Sequence, residues 1–391
     1  MQLLLRKYLQ GDMVIWAVVF LLSLVSAMAV YSSTGTLAYR YQGGNTEYYL
    51  LKHFAIIALG WGMMYMIHKV PYTYFSRVGQ ILIWISIPLL AVTLIAGTSR
   101  NEASRWLTLP IINMSFQTSD LAKLALIAYL ARQLAKRQND MEDFKEGFVQ
   151  LVWPILLICA LILPANFSTA AVLFTSSLMI LYIGRVQFKY LLGLVGSILM
   201  AGVFVILLSY AMPLEKVLPR FGTWKARLET YFSDEQTPQQ ADANYQTEQA
   251  KIAIANGGIA GVGPGNSSQR NFIPHPYSDF IYAIIIEEWG LAGGTVILFL
   301  YLILLFRGLR IVHKGTSAFG ALLAFGVCFA LVFQAFINMA VAVNLFPVTG
   351  QPLPLISMGG TSIWFTSIAI GMLLSVSRET SNEPQPELAN V

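Results

Sequence analysis

The stretch DFIYAIIIEEWGLAGGTVILFLYLILLF, residues 279–306, decides the fold of this chain. From Trp289 to Phe306 it carries no charge. A bilayer-spanning helix needs about 20 predominantly apolar residues, and a helix apolar all round belongs in a core or a membrane. Nine further stretches of this kind are read at 13–33, 49–68, 78–97, 117–135, 148–165, 167–184, 187–211, 317–342 and 355–376. The composition agrees. Of 391 residues 56% are hydrophobic and 12% are charged, and the mean hydropathy is +0.61. A soluble domain carries about 25% charged residues. Lipid is the solvent that so much apolar surface requires. The expected fold is therefore all-α: one polytopic membrane domain over 1–391, with about ten transmembrane helices.

The cations orient it. With the N-terminus inside, the inner segments hold Arg6, Lys7, Arg132, Lys136, Arg307 and Arg310 among others, whereas the short outer loops hold only Arg40, Arg100 and Arg105. Lysine and arginine mark the cytoplasmic side. Both termini are then cytoplasmic, residues 380–391 form a short disordered tail, and 212–278 form one large extracytoplasmic loop. That loop holds amphipathic stretches and the glycine run NGGIAGVGPGNSS, which read as short surface helices joined by turns. Ala27-Met28-Ala29 resembles a signal-peptidase site. The apolar run before it is longer than a signal core, so a retained first helix is expected. The net charge of +5 is scattered between apolar runs, which excludes a nucleic-acid patch. Cys159 and Cys328 sit in apolar runs and offer neither metal spacing nor a disulfide framework.

Charge inside a membrane is costly and points to function. Lys123 lies in the fourth span, three residues after Asp120, so the two can pair on one helix face. Lys123 reads as a paired charge stabilising a helix bundle, as a binder of an anionic headgroup, or as a cation tuning a nearby carboxylate. Asp279 precedes the apolar run after the large loop. It reads either as an N-cap or as a carboxylate at the lipid–water boundary, where partial burial would make it a usable general base. Glu287 and Glu288 fall two turns deeper and, being adjacent, point in different directions. Arg105 beside Trp106 reads as an interfacial anchor or a phosphate-binding pair. The segment FPVTGQPLPLISMGGTS (346–362) places irregular backbone at membrane depth, where it must line a cavity or be buried in protein. His275 alone among the four histidines lies near this site. No nucleotide-binding loop, zinc motif or Ser-His-Asp arrangement occurs.

Four separated motifs agree in order: NEASRWLTLP…SFQTSDLAKLAL, IAIANGGIAGVGPGNSSQ, FIPHPYSDFIYAIIIEEWG and NLFPVTGQPLPLISMGGTS. Over nearly the whole chain they resemble the SEDS family (shape, elongation, division and sporulation), which contains RodA and FtsW. The PVTG and GNSSQ variants are more similar to the division branch, FtsW. Departures fall at His275, Ser278, Asn166 and the Gln117-Thr118-Ser119-Asp120 run, where the family usually carries Glu, Thr, Asp and Gln-Pro-Ser-Glu.

The resemblance implies a peptidoglycan glycosyltransferase in the bacterial inner membrane that polymerises lipid II, in division or elongation. It implies Asp279 as the catalytic carboxylate and Lys123 as its basic partner. Arg105, Gln117, Ser119, Asp120, Arg220, Ser278 and Ser357 are expected around the substrate. No cofactor is required by the motifs, although a divalent cation, magnesium or manganese, would assist a pyrophosphate leaving group. A single-pass class B penicillin-binding transpeptidase and other divisome or elongasome proteins are the implied partners. A flippase for lipid-linked precursor is the alternative, because broken helices and intramembrane charge fit transport too.

Overall fold

The computed structural model describes residues 8–100, 103–109, 114–138, 144–211, 222, 224 and 241–382. Each of the ten apolar stretches contains a helix, but that of 355–376 starts only at Thr361 and that of 148–165 ends at Ile162. In chain order the helices are α1 (Met13–Ser33), α2 (Gly35–Gln42), α3 (Thr46–Lys69), α4 (Thr73–Ala96), α5 (Thr118–Lys136), α6 (Gln150–Ile162) and α7 (Phe167–Ile183). They continue with α8 (Phe188–Ala211), α9 (Ala241–Gly257), α10 (Ile281–Lys314), α11 (Ala318–Ala342) and α12 (Thr361–Asn382). Six of them, α1, α3, α4, α8, α10 and α11, are long and apolar enough to cross a membrane, and two shorter apolar stretches cover Gly147–Ile162 and Phe167–Ile183. The chain is an all-α, multi-pass membrane protein.

Local chemistry starts these helices where they start. Asp12 caps α1 by accepting from Val14 N at 2.9 Å, and its other oxygen accepts from Arg307 Nε of α10 at 2.7 Å. Asn45, Asn166 and Ser317 cap α3, α7 and α11 in the same way, with side-chain oxygens taking otherwise orphaned N–H groups. The core lies where α5, α10 and α11 meet α1, α7 and α12, and Leu22, Leu126, Leu130, Ile155 and Tyr301 are fully buried in it. By contrast, α8 leaves Leu199, Met200 and Phe204 on the surface, as a helix solvated by lipid does.

Two features depart from the expected outline. The segment before α5 carries a three-stranded antiparallel sheet, β1 (Thr98–Arg100), β2 (Ala103–Leu109) and β3 (Met114–Gln117), with Trp106 opposite Gln117 and Leu107 opposite Phe116. It docks on α12 through Phe116 and Phe365, whose rings lie 5.4 Å apart. The eighth span is not continuous. At Gly290 its backbone leaves the helix, with φ 69° and ψ −177°. The loop that follows α9 lies in the break. Val262 N donates to Glu287 O at 2.9 Å and Gly263 N to Glu288 O at 3.0 Å, while Leu291 N donates to Gly258 O at 2.9 Å. Backbone groups freed by the break are thus satisfied by protein, as a membrane interior demands.

Candidate active site

Asp279 sits in the turn before α10. It is not the N-cap: that position is Phe280, and no side chain caps the helix there. Other segments fix the turn. Asn338 of α11 donates from Nδ2 to Asp279 O at 2.8 Å and to Gln351 O at 2.7 Å. Ser357 Oγ donates to Ser278 O at 2.5 Å and accepts from Leu353 N at 2.7 Å. Met358 N donates to Tyr277 O at 2.9 Å. Residues 343–360 therefore form the irregular wall expected from their prolines and glycines, and this wall carries the Asp279 turn. The carboxylate faces it: a Cβ at Gly350 would lie 3.9 Å from Asp279 Oδ2. Gly350 has φ +64°, a conformation that glycine adopts without strain.

A second cluster is built on α5. Asp120 is buried, and its Oδ1 pairs with Lys123 Nζ at 2.8 Å, one turn along the helix. Lys123 also donates to Gln334 Oε1 of α11 at 3.4 Å. Asp120, Lys123, Ser176, Gln334, Ser362 and Thr366 supply the polar lining of a cavity of about 50 Å³, otherwise apolar, between α5, α7, α11 and α12. That volume admits one or a few waters. Asp120 Oδ2 has no hydrogen-bond partner among the described residues. Gln334 Nε2 donates to Pro352 O at 3.0 Å, and Gln351 Nε2 reaches Thr169 Oγ1 of α7 at 2.6 Å. Through α11 the Asp120–Lys123 cluster and the Asp279 turn thus share one polar framework.

Other expected residues lie apart. Gln117 Nε2 donates to Ser119 Oγ at 2.9 Å, and both line a smaller cavity with Thr93 and Asn166, separate from that of Lys123. Arg105 belongs to β2, but its side chain lies outside the described residues, as does all of Arg220. From the large loop Trp224 lies against Phe167 at the start of α7, with ring centroids 5.5 Å apart. His275 is exposed at φ 55°, with Nδ1 2.8 Å from the Tyr277 hydroxyl oxygen.

Glu287 and Glu288 take different partners, as adjacent helical residues must. Glu287 is fully buried and accepts from Ser267 Oγ, from Ser268 Oγ at 3.0 Å and from Gln269 N at 3.3 Å. Glu288 accepts from Ser32 Oγ of α1, which also accepts from Arg270 Nη1 at 3.0 Å. Their carboxylates bind the glycine-rich loop to the bundle.

A family model for cell cycle proteins of the FtsW, RodA and SpoVE type matches residues 12–382. The chain belongs to this family. It is 32% identical to the probable peptidoglycan glycosyltransferase FtsW of Marinobacter nauticus over 86% of this chain and 82% of that protein. It is 30% identical to the stage V sporulation protein E of Bacillus subtilis over 95% of this chain and 98% of that one. Among solved structures, the fold matches a chain of a peptidoglycan synthase complex described as coordinating polymerization and crosslinking, with a TM-score of 0.71 and 22% identity over 95% of this chain and 99% of that one. It also matches the rod shape determining protein RodA of Thermus thermophilus, with a TM-score of 0.64 and 23% identity over 95% of this chain and 98% of that one.

Charge marks Asp279, Lys123 and Asp120 in the sequence, whereas the neutral Gln334, Asn338, Gln351 and Thr169 join the site only through the fold. For Gln334 and Asn338 the signal is a carboxamide inside an apolar helix, since a buried amide needs partners nearly as strictly as a charge does; Gln351 and Thr169 carry no such mark.

Proposed function

We propose that the chain is a peptidoglycan glycosyltransferase of the bacterial cytoplasmic membrane, polymerising lipid II on the outer face with Asp279 as general base. The FtsW relatives carry that activity in their name. The supporting observation is the Asp279 turn: partly exposed, but anchored by Asn338, Ser357 and Met358 from two other segments. A base must be held rigidly and remain reachable, and this turn meets both needs.

The 4-hydroxyl of the acceptor sugar attacks the anomeric carbon of the donor. A carbon–oxygen bond forms there as the bond to the lipid pyrophosphate breaks, and Asp279 takes the hydroxyl proton. One displacement inverts the α-linked donor to a β-linkage, so a single carboxylate suffices. The departing pyrophosphate needs positive charge, which Lys123, Arg105 and Arg220 would supply. Ser278 and Ser357 act on the turn that carries Asp279, whereas Gln117 and Ser119, in their separate cavity, would meet a more distant part of the substrate. A magnesium or manganese ion would add charge there, although the described residues contain no group of three His, Cys, Asp or Glu able to hold one.

The lysine and arginine bias places Asp279 and the large loop outside and both termini inside. A single-pass class B penicillin-binding transpeptidase is the partner this reading calls for, in division more than in elongation. A flippase reading would draw on the break at Gly290. The deciding experiment incubates purified protein with lipid II and resolves glycan strands on a gel. Asp279→Asn should insert normally and make no polymer; normal polymer from that variant would refute the assignment, and movement of labelled lipid across vesicles without polymer would favour transport.

A further inference from the structure

Along apolar α11, two carboxamides stand one turn apart on the same face: Gln334 and Asn338. Both are buried, Asn338 almost completely at 1% exposure. Asn338 spends both hydrogens of one nitrogen on main-chain oxygens, those of Asp279 and Gln351. The opposite amide orientation would set Oδ1 against two carbonyl oxygens, so the nitrogen must face them. The amide's own oxygen has no partner among the described residues, although it is buried. Leaving an acceptor dry is unfavourable, and the fold tolerates it to keep this bridge.

The bridge joins the two segments that flank the carboxylate. Asp279 O and the Asp279 carboxylate hang from one Cα. Gln351 follows Gly350, the residue that the Asp279 carboxylate faces. One turn back, Gln334 holds the neighbouring Pro352 O and receives Lys123. One face of α11 therefore sets the register between Asp279, the 350–352 wall and Lys123.

We infer that Asn338 is a positioning residue: its two-hydrogen clamp holds the Asp279 carboxylate at its working distance from substrate. The inference rests on the reading of Asp279 as base. Displacing a reacting group by about 1 Å can cost on the order of 100-fold in rate. No residue without a doubly donating nitrogen can reproduce the clamp at this reach. Aspartate has the same shape but, ionised, turns two acceptors toward two acceptors.

The test uses the purified full-length protein with lipid II. Asn338→Ala and Asn338→Asp should lower kcat about 100-fold, leave KM for lipid II within about threefold, and shift the acid limb of the kcat–pH profile. Leu323→Ala, a fully buried truncation elsewhere on α11, serves as a control for packing loss and should keep kcat and the profile near wild type. Should the alanine form not survive purification, Asn338→Gln, which keeps the doubly donating nitrogen but moves it by one methylene, should give an intermediate kcat. Wild-type kcat in all Asn338 variants alongside an inactive Asp279→Asn would overturn the positioning role alone. So would an equal kcat loss and pH shift in Leu323→Ala. An active Asp279→Asn would instead remove the reading on which the inference stands.

Discussion

Replacing Gly290 by alanine tests how the loop that follows α9 is seated on the broken helix. A Cβ there would lie 2.1 Å from Ile259 O and 2.6 Å from Gly261 N. Carbon–oxygen contacts are already close at about 3.3 Å, so the two backbones must separate by roughly 1 Å. Separation breaks the cross-links of Val262 N, Gly263 N, Leu291 N and Ala292 N, which span 2.9–3.2 Å. At about 1 kcal/mol for each bond, with roughly 1–2 kcal/mol more for a side chain at positive φ, the local loss is about 5 kcal/mol. Backbone hydrogen exchange in detergent reads this directly. The amides of Val262, Gly263, Leu291 and Ala292 should exchange about 4,000-fold faster, while the α5 and α11 amides keep their protection. Polymer synthesis should fall with it, because the same loop leads into Asp279. Exchange at those four amides within threefold of wild type would show that the loop is not held by the break at all.

Glu287→Gln leaves at least one of its serine and backbone donors without a charged acceptor, a loss of about 3 kcal/mol; trypsin should cut after Arg270 about 100-fold faster, and more so than in Glu288→Gln, with equal rates counting against the clasp. Lys123→Met strands the buried Asp120 carboxylate at about 3–5 kcal/mol, so the thermal midpoint should fall and recover when Asp120→Asn is added. Glycan synthesis should stay absent in that rescued double variant if Lys123 acts on substrate, and restored synthesis would make the pair purely structural. Ser357→Ala removes the donor to Ser278 O and the acceptor of Leu353 N, and should cost about 1–3 kcal/mol in thermal unfolding; an unchanged midpoint would contradict the buried geometry.

Sequence alone determined the membrane fold, because an apolar run such as 13–33 has only one solvent in which it is stable, whatever its neighbours. It also singled out Asp279, Asp120 and Lys123, since charge at membrane depth is conspicuous in one dimension, and the Asp120–Lys123 pair is set by helix pitch alone. The sheet of β1, β2 and β3 is not legible in the sequence because strand formation depends on cross-strand partners more than on local preference. Tertiary structure decided the rest. Gly290 is an ordinary helical glycine in sequence and becomes a break only where residues 257–263 approach it. Whether Asp279 caps a helix or presents a carboxylate depends on Asn338, 59 residues from Asp279, and on Ser357, 79 residues from the Ser278 it holds. Such partners are chosen by packing, because a buried polar group takes whichever donor or acceptor the fold delivers to it, and no local pattern records which one that is.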